Sequence, residues 1–534
     1  MKLDTIPPEL LTTIADFLPQ HRDTNALARC SSRFHAIINP QLYRQNARSS
    51  RSDALAWAAR TGTMATVKIA LAYGADPNAS QQRGEFSALR WAVAQGHRDI
   101  AQLLIDHGAS LKDSMLMVTA ARHTSDDIVR LLLDNGADIN ALGYLGKTPL
   151  LFAAQEGNES TFDLLLTRGA DPFARCSAGS SALFFAVEGG CLDILAKLLD
   201  LGVDMLQTDY ESRTAQSRAA ELGRQDAIRL FTERGIAVDH PDREGKTALS
   251  WAARKGHREL VLYLLEKGAS VHTADVWGHT PALHAAMTGM TDVLETLLEH
   301  GVSLECKAGD GRTMLAWAAV NGHNKTVKLL LAKAADVESL DKDGLSPLVL
   351  VANAGSLAML KMLVKGGADV NSHNGRESPL SLAVARGHIR MVDVLLDHGA
   401  DLEARDEDGK TPLFRAMRRP DSDMFHHLIR RGARIDVKDR NGASLLHEAA
   451  GNGVVSYIDH LIESGLNVNR TDEFGRTPLH AAVLNDAKAS FLALLMHGAD
   501  PDVRNADGYS ALERARSEGN DADLLFAIEQ SWDS

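Results

Sequence analysis

Apolar residues in this chain recur in short amphipathic runs that share one period. In the segment beginning at Thr477, TPLHAA reads as a helix start, with Thr477 placed to cap it and Pro478 tolerated in the first turn. Ala481 and Ala482 are small enough for close helix packing. A second helix carries Phe491, Leu494 and Leu495 on one face and stops at Gly498, which can take the left-handed conformation of a helix end. A turn comes next, as in Asp242-Arg243-Glu244-Gly245 or Asp406-Glu407-Asp408-Gly409, where Asp first and Gly fourth is the pattern of a type I turn. The predicted unit is helix, turn, helix, hairpin.

This unit repeats. A Leu-Leu-x-x-Gly phrase places glycines from Gly74 and Gly108 through Gly136 and Gly169 to Gly498, with Ala334 standing where one is missing. The steps are 34, 28, then almost uninterrupted runs of 33 residues. The opening Thr or Ser of each unit, from Thr148 and Ser181 to Thr477 and Ser510, keeps the same step. The period, the TPLH-like openings and the LLxxGAD phrases resemble the ankyrin repeat. The resemblance implies an all-α ankyrin-repeat solenoid of helix-turn-helix pairs with β-hairpin loops. It covers residues 53–534 as about 14 repeats plus a C-terminal capping partial repeat. One unit cannot bury its own apolar face, whereas a stack can. Three places break the pattern: Gln216 stands where other units have Leu, the third unit has lost its hairpin phrase, and Pro420 falls between two helices. They are candidate hinges or local irregularities.

Residues 1–48 do not fit the repeat, and 49–52 read as a linker. Pro7 opens a helix in which Leu10, Leu11, Ile14 and Phe17 share a face, and a second apolar patch contains Leu27, Phe34 and Ile37. So small a module cannot bury both patches alone and must dock on something. Its opening Ile6-Pro7, then Glu9-Leu10-Leu11, Ser32-Arg33-Phe34 and the closing Asn39-Pro40-Gln41-Leu42-Tyr43 resemble the F-box. That resemblance implies that Pro7, Leu10, Leu11, Ile14, Phe17, Leu27, Phe34 and Ile37 bind the Skp adaptor of an SCF-type ubiquitin ligase. The plainer reading is a helical cap on the first repeat.

Composition narrows the function classes. The chain has 534 residues, 45% hydrophobic and 24% charged, which excludes a wholly disordered chain. Residues 1–50 carry six basic and four acidic residues, so the net charge of −13 leaves −15 on the remainder. An acidic body argues against nucleic acid as a partner and suits basic protein partners. Four dispersed cysteines, Cys30, Cys176, Cys191 and Cys306, form no CxxC pair, favouring a reducing compartment. No run is long and apolar enough to span a membrane, and Asp4 and Glu9 interrupt what a signal peptide would keep apolar. Cytoplasm or nucleus is expected, with no membrane partner.

The chemistry that might suggest an enzyme is absent from the pattern. Gly146-Lys147-Thr148, Gly245-Lys246-Thr247 and Gly409-Lys410-Thr411 lack the earlier glycine of a phosphate-binding loop. Among the 21 histidines, His97, His257, His323 and His388 each follow a Gly at one inter-helix turn, and His447 and His480 hold the TPLH position. None forms an HExxH motif, so structural roles are expected, with no metal, no cofactor and no catalysis.

Two sets of aromatics mark the expected partner surface. Trp57, Trp91, Phe152, Phe185, Trp251 and Trp317 share one column of the first helix, which in ankyrin arrays lies toward the concave side; they are either a binding stripe or inter-repeat packing. Tyr144, Tyr210, Trp277, Phe474 and Tyr509 sit at hairpin tips, where large aromatics are unusual. Together these features predict a substrate-recognition subunit of an SCF-type E3 ubiquitin ligase, with an F-box holding the Skp adaptor and ankyrin repeats holding the target protein. The alternative is an ankyrin scaffold or inhibitor with no ligase role.

Overall fold

The computed structural model describes residues 53–79, 86–123, 126–373, 377–418 and 423–517. The segment 1–52 lies outside the described residues, as does Pro420. Among the described residues the fold is all-α, with 29 α-helices and no strand. They form two compact units, one running to Ala252 together with Glu259–Ser270, the other comprising Ala253–Arg258 and the chain from Val271 onward.

Each unit is a stack of helix pairs. In the first unit the pairs are α1 (Asp53–Thr61) with α2 (Met64–Ala72), α3 (Ala88–Ala94) with α4 (Arg98–Asp106), and α5 (Met115–His123) with α6 (Asp126–Asp134). They continue with α7 (Pro149–Glu156), α8 (Glu159–Thr167) and α9 (Ala182–Gly189). The leading helices pack serially, α1 on α3, α3 on α5, α5 on α7 and α7 on α9. In the second unit Pro347–Ala354 packs in the same way against Met314–Val320 and Pro379–Arg386.

Local sequence explains each element. The Thr148 hydroxyl accepts the Leu151 amide at 3.4 Å and Ser378 the Ser381 amide at 3.1 Å, with Pro149 and Pro379 in the first helical turn. Small Ala153 and Ala154 let leading helices approach, and Phe162 and Leu165 on α8 complete the buried layer. Ala334, the residue in place of a helix-end glycine, is forced into the same left-handed region at φ 61°.

The inter-helix histidines are structural, as expected. His323 Nε2 lies 2.8 Å from the Met287 carbonyl, and its ring rests so close to Gly289 that a Cβ there would come within 2.5 Å of it. His447 and His480 close capping boxes: the amides of Ser444 and Thr477 donate to their Nδ1 atoms at 3.1 and 3.2 Å. Their Nε2–H groups donate to the Arg476 and Tyr509 carbonyls at 2.9 and 3.1 Å, which fixes one neutral tautomer.

The expected hairpins form as fingers without a ladder. A single β-bridge closes several of them, such as Arg175 with Ser181 and Lys438 with Ser444. The turn itself is as the Asp-x-x-Gly pattern predicts: Gly245 N–H donates to Asp242 O at 3.0 Å and Gly409 N–H to Asp406 O at 2.9 Å. Neighbouring fingers are joined by backbone bonds, Ser177 N to Leu145 O at 2.8 Å in the first unit and Gly309 N to Trp277 O at 2.8 Å in the second.

Gln216 is the clearest flaw. It is 1% exposed, and its Oε1 has no hydrogen-bond partner, while Nε2 reaches the Ala237 carbonyl only at 3.5 Å. Gln216→Leu removes a buried unsatisfied acceptor and adds apolar burial, so it is expected to raise stability by about 1–3 kcal/mol in denaturant unfolding.

Burial pushes the His447 and His480 pKa values below the ordinary histidine range. A lowered folded pKa means that the unfolded chain binds the extra protons, so their contribution is complete above pH ~6.5 and is lost as pH falls below it. The wild type should therefore melt at lower temperature at pH 5.5 than at pH 7.5. His447→Gln/His480→Gln should start lower, by about 1 kcal/mol per lost cap, and show a smaller acid drop.

A candidate partner-binding cleft in the first unit

The third repeat is where the stack departs from its own rule. After Gly108 the chain runs through Asp113, which accepts the Met115 amide at 2.9 Å, straight into α5 with no finger between. The finger of the fourth repeat, with Tyr144 at its tip, therefore has no finger before it in the third repeat. The opening is a cleft of about 480 Å³ lined by Phe86, Trp91, Met115, Val118, Tyr144 and Phe152, with Arg90 and Arg122 beside them.

Its floor is apolar and its edges are cationic. The Phe86 and Trp91 rings are 4.8 Å apart between centroids, and the Arg90 guanidinium lies over Phe86 at 4.0 Å. Arg90 reaches Asp113 only at 3.8 Å, and its Nε is buried without a hydrogen-bond partner. Arg122 is exposed and pairs with Glu156 at 3.0 Å. Tyr144, 72% exposed, stands at the finger tip above the opening, beside the exposed Leu142 and Leu145. A burial site for an apolar side chain with two guanidinium groups at hand can take a carboxylate-bearing segment.

The two expected aromatic sets separate on this geometry. In the first unit Trp57 is exposed and Trp91 half-buried in the cleft, but Phe185 and Trp251 are buried, and so is most of Phe152. The column is roofed by cations: Arg60 over Trp91 at 4.7 Å, Lys147 over Phe185 at 4.2 Å and over Phe152 at 5.4 Å, and Lys246 over Trp251 at 4.9 Å. Burial among these rings pushes the Lys147 pKa down, while Glu188 works in the opposite direction. In the second unit Trp317 lies under Arg312 at 5.1 Å. Phe152, Phe185 and Trp251 are thus packing between repeats and not an open stripe.

The finger tips remain accessible. In the first unit Tyr210, 76% exposed, lays one ring edge on Gly179, where an added Cβ would come within 2.8 Å of it. In the second unit Trp277, Phe474 and Tyr509 are all exposed, with Arg476 over the Phe474 ring at 4.6 Å. Pro7, Leu10, Leu11, Ile14, Phe17, Leu27, Phe34 and Ile37 lie outside the described residues.

Sequence reasoning missed Phe86, Arg90, Met115, Val118 and Arg122. The available signal was the 28-residue step between Gly108 and Gly136, which marks a deleted finger. Among the described residues no helix is long and apolar enough to cross a membrane.

A sequence model of the family described as ankyrin repeats (3 copies) matches residues 28–115, 116–209, 183–275, 269–341, 315–406, 348–439 and 413–505. Among curated proteins, "Ankyrin repeat and SOCS box protein 6" from Pongo abelii and from Homo sapiens are each 34% identical over 109 residues, which is 19% of this chain and 26% of theirs. The chain spans about a quarter of the length of these relatives.

Proposed function

We propose that this chain, which belongs to the ankyrin-repeat family, is a target-recognition subunit of an SCF-type ubiquitin ligase. Ankyrin repeats serve protein–protein interaction, and here the cleft at the missing finger would receive the target. The F-box-like pattern in residues 1–48 would hold the Skp adaptor. The observation that carries the target-binding half is the aromatic cleft flanked by Arg90 and Arg122, one of them with an unpartnered buried Nε. What supports the ligase half is the N-terminal motif order. The curated relatives, too, are named for ankyrin repeats joined to a second module.

The target segment would then present an aromatic or aliphatic side chain to Trp91 and Met115 and a nearby carboxylate to the arginines. This chemistry differs from the basic partner that the net charge alone suggests, because the field at a site is set by the residues that line it.

The full-length protein should retain purified Skp adaptor, and Leu10→Asp/Leu11→Asp should abolish retention; failure of the wild type to retain it leaves the scaffold or inhibitor reading. In cells treated with a proteasome inhibitor, Arg122→Ala and Tyr144→Ala, both at exposed positions, should each reduce recovery of captured targets about tenfold, corresponding to ~1.4 kcal/mol. Undiminished capture by both variants would move target binding away from the cleft.

A further inference from the structure

In the second unit one finger departs from the others in how its buried carboxylate is neutralised. Where an Asp opens a finger, Oδ1 accepts its own turn amides, and at several of these fingers Oδ2 meets a residue four or nine positions later. In the first unit Arg213 answers Asp209 at 2.9 Å. In the second, Arg476 answers Asp472 at 2.7 Å and Arg415 answers Asp406 at 2.6 Å. These guanidiniums are charged at any physiological pH. At Asp275 both positions are histidine instead: His279 Nδ1 lies 3.4 Å and His284 Nε2 3.0 Å from Oδ2. The Asp275 side chain is 0% exposed, His284 5% and His279 15%.

We propose that Asp275, His279 and His284 form a binding site for a divalent transition cation of the zinc class, with a fourth position left to water or to a partner's side chain. The three donor atoms lie within 4.8 Å of one another. Two ligands of a tetrahedral ion with bonds near 2.0–2.2 Å are about 3.3–3.6 Å apart, so separations of 3.0 and 3.4 Å need only small side-chain adjustments. Two imidazoles and a carboxylate are the donor set this class of ion takes. The ion would also supply the positive charge that arginine brings to the other fingers.

The surroundings prepare the carboxylate for this role. Oδ1 is fixed by the Trp277 and His279 amides at 3.0 and 2.8 Å, leaving Oδ2 as the ligand atom. Burial would raise the Asp275 pKa, but the His284 hydrogen bond and the His279 amide hold it at about 2, so the group is ionised throughout the neutral range. His279, the most accessible of the three, marks the entry. The next finger has Ala308 at the position of Asp275, and the Trp317 ring stands edge-on to His279 at 5.9 Å. On this proposal the expectation of purely structural histidines gives way at this finger, where the three positions straddle a turn and a helix start.

Trp317 and Trp277, the latter 6.4 Å from His279, provide the readout. Chelator-treated full-length protein titrated with Co2+ should lose part of its tryptophan fluorescence at about one equivalent, and Zn2+ should displace Co2+ while Mg2+ should not. His279→Gln and His284→Gln should each weaken binding by about tenfold or more. His279→Gln sits at the rim and should retain the wild-type melting temperature without metal. Absence of quenching in the wild type would overturn the site, as would wild-type affinity in both histidine variants.

Discussion

Several fingers of this protein hang on a buried carboxylate. In Asp209, Asp242, Asp275, Asp341, Asp406 and Asp472, one oxygen accepts two amides of the residue's own turn, as at Asp406, where the Asp408 and Lys410 amides lie at 3.0 and 2.8 Å. The second oxygen must then be answered as well, because an uncompensated charge at these depths costs several kcal/mol. The answer varies from finger to finger: an indole from Trp251 at 2.9 Å, a guanidinium from Arg415, an imidazole from His284. At Asp242, whose second oxygen accepts the Trp251 indole, burial still pushes the pKa up. One requirement of turn formation thus dictates which side chains stand along the leading helices, and through them the electrostatics of each unit.

Against so regular a scaffold, a site can arise by omission. Where a finger exists, its base covers the aromatic rings of the leading helices and its neighbours clasp it. In the third repeat Asp113 leads directly into α5, and the rings of Phe86 and Trp91 lose their cover. The cleft is built from residues that elsewhere would be packing. Its edge carries Arg90 and Arg122, which the body's acidic net charge does not foretell.

Much of this was legible in the sequence, because the repeat rests on local rules: a Thr or Ser cap, a proline in the first turn, a left-handed glycine, an Asp-x-x-Gly turn. Gln216 was also legible as a break, and it is buried with an unsatisfied oxygen. The roles of the aromatic column were not, since whether Phe185 faces a partner or lies beneath Lys147 depends on residues from adjacent repeats. The Asp275, His279 and His284 cluster escaped because its spacing belongs to no helix or strand period, and only the fold of the finger brings the three donors together.

The bond from Ser177 N–H to the Leu145 carbonyl belongs to a series that laces finger to finger, as does that from Tyr210 N–H to Ala178 O. In a nearest-neighbour stack the cooperativity of unfolding depends on such coupling between adjacent units. At the third repeat, which has no finger, the series of backbone bonds is interrupted, and side-chain pairs such as Arg122–Glu156 and Arg168–Asp134 join its helices to the next repeat. The N-terminal repeats of the first unit therefore form a segment held to the rest without this lacing. The seam of that segment is the cleft itself, so an occupant that bridges both walls would act as the missing clasp and its binding energy would appear as stability of the stack.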